Sequence, residues 1–145
     1  MNAFLENDNR NNSSVKILIV DDEKSIRFSF ASILKDAGYE VFSAENQLDA
    51  MDILSANELN VAIIDRLLGP HNGMDLVDYI NREHSFCITI LISAYPSFES
   101  ASEGFKHNLF AYLQKPIKRE TLCTTVKKAV SKGEEIKKLY NQIKV

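Results

Sequence analysis

"KILIVDDEKS", Lys16 to Ser25, decides how the chain folds: four consecutive apolar residues run straight into two adjacent carboxylates, Asp21 and Asp22. A continuous apolar run of this length reads as a strand buried on both faces. Two acids at the end of such a strand lose hydration and repel each other, so they serve no packing purpose. One reading is that they cap the helix that follows, since Asp favours the positive end of a helix. The other is that a cation neutralises them.

The same alternation continues outward. After "KILIV", Ile26, Phe30, Ile33, Leu34 and Ala37 recur at helical spacing until Gly38. "YEVFSA" reads as a second strand, Leu48, Met51 and Leu54 as a helical stripe, and "NVAIID" as a third strand ending at Asp65. "GMDLVDYINREH" predicts a helix, "FCITILIS" a fourth strand, "SFESASEGFKH" a helix, "LFAYL" a short fifth strand, and a long helix begins near Lys118. Strands that alternate with helices form a parallel sheet, because parallel neighbours need right-handed crossovers. The fold class is α/β, a doubly wound five-stranded parallel sheet with helices on both faces, in the flavodoxin-like order 2-1-3-4-5. Ligands in that order sit at the carboxyl ends of the strands, between the first and third. Asp21, Asp22 and Asp65 are therefore expected on one rim.

At 145 residues with a net charge of −3 and 45% hydrophobic residues, the chain fits one globular domain and carries no electrostatic signature of nucleic-acid binding. Its longest apolar runs fall short of a membrane span, and no signal peptide is recognisable, so a cytoplasmic protein without membrane contact is expected. Cys87 and Cys123 form no CxxC pair, and His71, His84 and His107 lack metal-ligand spacing. All five read as structural residues. The domain organisation expected is a flexible leader over 1–14, with five Asn, a domain over 15–130, and a helical extension or linker over 131–145.

Three convergent carboxylates cannot all stay ionised without a cation, and an all-oxygen site suits Mg²⁺ better than Zn²⁺. Ser93 closes the fourth strand, and Lys115 follows the fifth immediately before Pro116. Metal, hydroxyl and ammonium together make a clamp for a phosphoryl group. In this order the acid pair, the strand-end Asp, the Ser and the Lys-Pro resemble the receiver domain of response regulators in two-component signal transduction, over about Lys16 to Val130.

The resemblance implies that Asp65 is the phosphoacceptor, with Mg²⁺ held by Asp21, Asp22, Asp65 and the backbone carbonyl of Leu67. Ser93 and Lys115 would contact the phosphoryl oxygens, Ser93 and Tyr112 would act as switch residues, and Lys115-Pro116 would be cis. The implied partners are a sensor histidine kinase or phosphotransfer protein and a downstream effector domain or protein. The chain would be a signalling domain rather than an enzyme, with no nucleic-acid contact of its own. Where relatives commonly carry Pro four residues after the acceptor, this sequence has Gly69 followed by Pro70, so the kink of that loop is expected to shift.

Rival readings fit less well. A phosphatase with an Asp nucleophile needs a second Asp where Leu67 stands, and a flavin carrier needs a Ser/Thr/Gly-rich loop where "DDEKS" stands. A pseudo-receiver, a phosphorylation-independent interaction module, remains the alternative. Finally, Leu122, Val126, Ala129, Gly133, Ile136, Tyr140 and Ile143 are spaced 4, 3, 4, 3, 4 and 3 residues apart, a heptad seam that fits either a homodimer through the last helix or a single amphipathic helix that folds back or frays.

Overall fold

The computed structural model describes residues 15–143, so the leader expected over 1–14 lies outside the described residues. In chain order the main elements are β1 (Lys16–Val20), α1 (Lys24–Asp36), β2 (Glu40–Ala44), α2 (Gln47–Ala56), β3 (Val61–Asp65), α3 (Gly73–Glu83), β4 (Ile88–Ser93), α4 (Phe98–Lys106), β5 (Ala111–Gln114) and α5 (Arg119–Ile143). A two-residue ladder, Leu67–Leu68 against His71–Asn72, interrupts the passage from β3 to α3. The five main strands are all parallel and lie in the order β2-β1-β3-β4-β5. That is the doubly wound arrangement expected from the sequence.

Strand periodicity divides the apolar residues between two cores. Leu18, Val20, Ala62, Ile64 and Leu91 face Leu54 of α2 and Leu76, Val77 and Ile80 of α3. Ile17, Ile19, Ile63, Ile90 and Ile92 face Phe30 and Leu34 of α1 and Leu122, Val126 and Ala129 of α5. Both faces of the central strands are covered, which is why they read as unbroken apolar runs rather than alternating ones. Helix starts follow local chemistry: Asn46 caps α2 through the Asp49 N–H, Asn72 caps α3 through the Met74 N–H, and Ser97 and Ser100 form a reciprocal capping box on α4.

The stripe read on α2 is only partly a core stripe. Leu54 is buried, whereas Leu48 is 74% exposed, because the buried line of this helix runs through Ala50 and Leu54.

The heptad seam of α5 is also divided. Leu122, Val126, Ala129 and Gly133 are buried. The first three pack against this chain's own sheet, and at Gly133 an added Cβ would lie 3.3 Å from Ile88 Cγ1. Only the last turns, with Tyr140 and Ile143, show apolar side chains to solvent. The two uses of the stripe look alike in sequence because packing on a sheet and packing on a partner helix select the same spacing. The helix itself runs without a break past residue 130, and its extension is held by Phe86. The Phe86 ring meets Tyr140 edge-on at 5.3 Å and lies 5.8 Å from the Lys137 ammonium. Among the described residues no helix is long and apolar enough to cross a membrane.

Candidate functional site

The sheet order brings the carboxyl ends of β1 and β3 side by side, and the acids that end them meet there. Asp21, Asp22 and Asp65 each offer a carboxylate oxygen to a group in which all three lie within 4.8 Å of one another. Asp21 is completely buried, Asp65 nearly so, and Asp22 is exposed.

The adjacent acids divide their roles. Asp21 Oδ1 accepts the N–H of Glu23 at 2.9 Å, turning the chain into α1. Asp22 Oδ2 instead accepts the Gly69 N–H at 3.2 Å, across the rim. The helix-capping reading fails for Asp22, and Glu23, at the cap position itself, makes no side-chain capping bond.

Lys115 reaches in from the end of β5. Its Nζ lies 2.8 Å from Asp21 Oδ2 and 3.0 Å from Asp65 Oδ2. The Lys115-Pro116 peptide is cis. Burial alone would lower the ammonium's pKa, but the adjacent carboxylates of Asp21 and Asp65 outweigh it and hold the pKa above its usual value. Asp21 moves upward as well. Desolvation is the largest cause, only partly offset by Lys115 and the Glu23 N–H, and the charge of Asp65 adds to it. One cation shared between two buried acids leaves the rim short of positive charge.

Asp21 Oδ2 supplies the test of fit for a metal. This buried oxygen has the Lys115 ammonium nearby but accepts no well-directed hydrogen bond, so it keeps coordinating capacity directed into the acid cluster. An exposed partner acid and an all-oxygen donor set complete a site suited to a hard divalent ion such as Mg²⁺.

Ser93 is buried at the end of β4, and its Oγ accepts the Tyr95 N–H at 3.1 Å. Leu67 stands two residues beyond Asp65 in the short ladder, its side chain exposed and its N–H donated to Asp65 Oδ1 at 3.2 Å. The shifted kink of this loop is a tight turn at Gly69-Pro70, with Gly69 at φ +61°, a conformation that favours glycine. Tyr112 is half-buried on β5 and touches none of the acids. Its hydroxyl lies 3.0 Å from Ser100 Oγ.

Arg27 and Ser100 carry roles the sequence reading did not give them, and Gly73, legible as a helix start, carries a further constraint. Arg27 donates to the Asp21 backbone carbonyl at 2.7 Å and lies 3.9 Å from Glu45, fixing the turn that carries the acid pair. Its signal was a cation one helical turn past the acids. Gly73 lies so close to Asp65 that an added Cβ would sit 2.1 Å from the Asp65 carbonyl oxygen. Ser100 left no signal beyond its place in a capping box. Cys87 is buried with its thiol pushed up to about 12, and His107 pairs with Asp78 at 2.5 Å. Cys123 is only half-buried, contrary to a core reading.

A doubly wound sheet with an acid cluster, a hydroxyl and an ammonium on its switch-point rim is the arrangement of a receiver-type domain. The family model "Response regulator receiver domain" matches residues 17–127, and the chain belongs to that family. It is 32% identical over 127 residues to the response regulator protein PilR of Pseudomonas aeruginosa, covering 85% of this chain and 28% of PilR. It is 31% identical over 116 residues to the nitrogen assimilation regulatory protein NtrX of Azorhizobium caulinodans, covering 79% of this chain and 26% of that protein. A CheY-like receiver domain protein from Methanospirillum hungatei superposes with a TM-score of 0.81 at 27% identity, covering 85% of this chain and 98% of the other. The chain thus spans only 28% and 26% of the two curated relatives' length.

The buried acid predicts a measurable response. A raised Asp21 pKa means that its stabilising protonated form is full below the unfolded value of 3.8 and is lost as pH rises through the folded value. At neutral pH and without metal, Asp21→Asn removes a strained charge while Lys115 keeps Asp65. It is expected to stabilise the protein by about 1 kcal/mol, roughly 2–5 °C in Tm. Millimolar Mg²⁺ should raise the Tm of the wild type and leave the variant unmoved. Thermal melts with Mg²⁺ and with EDTA check both parts.

Proposed function

We propose that this chain is a Mg²⁺-dependent aspartyl-phosphate switch that accepts its phosphoryl group on Asp65 from a sensor histidine kinase or phosphotransfer protein. The observation that carries the reading is Lys115 Nζ bridging Asp21 and Asp65 within the acid cluster. In the transfer, an Asp65 carboxylate oxygen forms the new P–O bond as the P–N bond to the donor imidazole breaks, and because the donor ring is protonated on its other nitrogen it leaves as neutral imidazole, with an acyl phosphate on Asp65. Asp21, Asp22, Asp65 and the Leu67 carbonyl would hold the ion. When bound, Mg²⁺ supplies Lewis-acid neutralisation of charge on the phosphoryl oxygens.

The remaining work falls to the chain. Lys115 neutralises a second phosphoryl oxygen, the Leu67 N–H steadies the attacking carboxylate through Oδ1, and Ser93 turns its hydroxyl from Tyr95 toward the phosphoryl group. Tyr112 follows Ser93, and the altered surface is read by a downstream effector domain or protein. The domain acts stoichiometrically in the cytoplasm, assisting its own phosphorylation and dephosphorylation rather than turning over an external substrate, and the exposed end of α5 supplies a homodimer contact.

Incubation with acetyl phosphate and Mg²⁺ tests the reading. A single acid-stable, hydroxylamine-labile phosphoryl group per chain, absent with EDTA, is the expected result by intact mass. An unmodified chain under conditions that load other receivers would overturn it and leave the interaction module standing.

A further inference from the structure

Ser100 Oγ is surrounded by more partners than it can serve. The backbone N–H of Ser97 points at it from 2.9 Å, the Ser97 carbonyl lies at 3.0 Å, the Ser97 hydroxyl at 3.1 Å and the Tyr112 hydroxyl at 3.0 Å. A serine hydroxyl has one proton and two lone pairs. Three of these four neighbours belong to the capping box that starts α4, and the fourth is the phenol on β5. Helix start and phenol therefore draw on one oxygen, and Ser100 as a residue is only 8% exposed, so water does not readily replace a missing partner.

We propose that Ser100 is the positioning residue that holds Tyr112 in the resting state, and that the shared oxygen couples the first turn of α4 to the position of the phenol. This rests on the switch reading above and adds to it the tie that movement at Ser93 must release. Only Ala94, Tyr95 and Pro96 separate Ser93 from Ser97. When the Ser93 hydroxyl leaves the Tyr95 N–H, this short segment loses its inner anchor and Ser97 shifts with it. The contacts around Ser100 then redistribute, and the phenol is the partner not covalently tied to α4.

The test begins with unphosphorylated protein, where no acceptor chemistry is required. In Ser100→Ala the Tyr112 ring resonances should leave their wild-type positions, Ser100→Thr should restore them, and Tyr112→Phe should shift the Ser97 and Ser100 amides by removing a single oxygen. A double variant should show no further shift at those amides beyond Ser100→Ala alone. The second arm titrates beryllofluoride with Mg²⁺. Loss of one such bond from the resting state should raise the apparent affinity of Ser100→Ala about fivefold. Tyr112 resonances and a beryllofluoride midpoint that stay at wild-type values in Ser100→Ala would overturn the proposal. A wild type that ignores beryllofluoride would overturn the switch reading instead, while the resting-state arm still decides the tie.

Discussion

On the proposed function, Asp65→Asn is expected to lower phosphoryl uptake from acetyl phosphate by at least about 100-fold in rate, on a fold that survives the change. Uptake requires a carboxylate oxygen free to attack, with cations on the far side of the phosphoryl group. Asp65 offers both: its carboxylate keeps some exposure at the rim, unlike that of Asp21, and its Oδ2 lies 3.0 Å from the Lys115 ammonium. The amide keeps the shape but lacks the charge and the nucleophilicity. Asp21 cannot substitute, because it is completely buried and its Oδ1 is committed to the turn into α1. Stability should hold or rise, since the substitution removes a charge that now repels Asp21. Intact mass after acetyl phosphate, together with a melting curve, reads both effects. Full phosphorylation of a folded Asp65→Asn protein would place the acceptor elsewhere.

Gly73→Ala is expected to be the most damaging single methyl in the domain. The added carbon would lie 2.1 Å from the Asp65 carbonyl oxygen and 3.0 Å from both the Asp65 carbonyl carbon and Ile64 Cγ2. The closest of these atoms are backbone at the end of a central strand, so no side-chain rotation relieves the overlap. Either α3 moves out, breaking the Gly73 N–H bond to the Arg66 carbonyl at 2.7 Å, or β3 moves and displaces the acceptor. A cost of about 3 kcal/mol or more follows, on the order of a 10 °C fall in Tm, with slower phosphoryl uptake in whatever remains folded. An unchanged Tm would show that the close approach of α3 to β3 is not required. The same substitution at Gly133 meets Ile88 Cγ1 at 3.3 Å, a contact a side chain can yield, and belongs to intramolecular packing. It is therefore no clean probe of a helix-to-helix dimer.

Much of the molecule was legible in sequence because burial on both faces leaves runs that nothing else requires. "KILIV", "NVAIID" and "CITILIS" have no polar face, so they had to be central strands, and the acids ending the first two had to share a rim once the crossovers were right-handed. Element type and the shared rim follow from that local pattern, and the grouping of Asp21, Asp22 and Asp65 follows once the flavodoxin-like order places the first and third strands side by side. Local pattern says nothing about which neighbour a given group chooses when several partners are compatible with its spacing. Asp22 turned to the Gly69 loop rather than to its own helix, the first half of the α5 seam went to the sheet rather than to a second chain, and Tyr112 found Ser100. Gly73 opens the "GMDLVDYINREH" helix in sequence, and its real constraint, a carbonyl pressed against its Cα, exists only after α3 packs on β3. Residue type and spacing determined what each segment could bury and where charge had to gather. Tertiary packing decided the pairings, because the strength of each one depends on distance and desolvation that no linear pattern encodes.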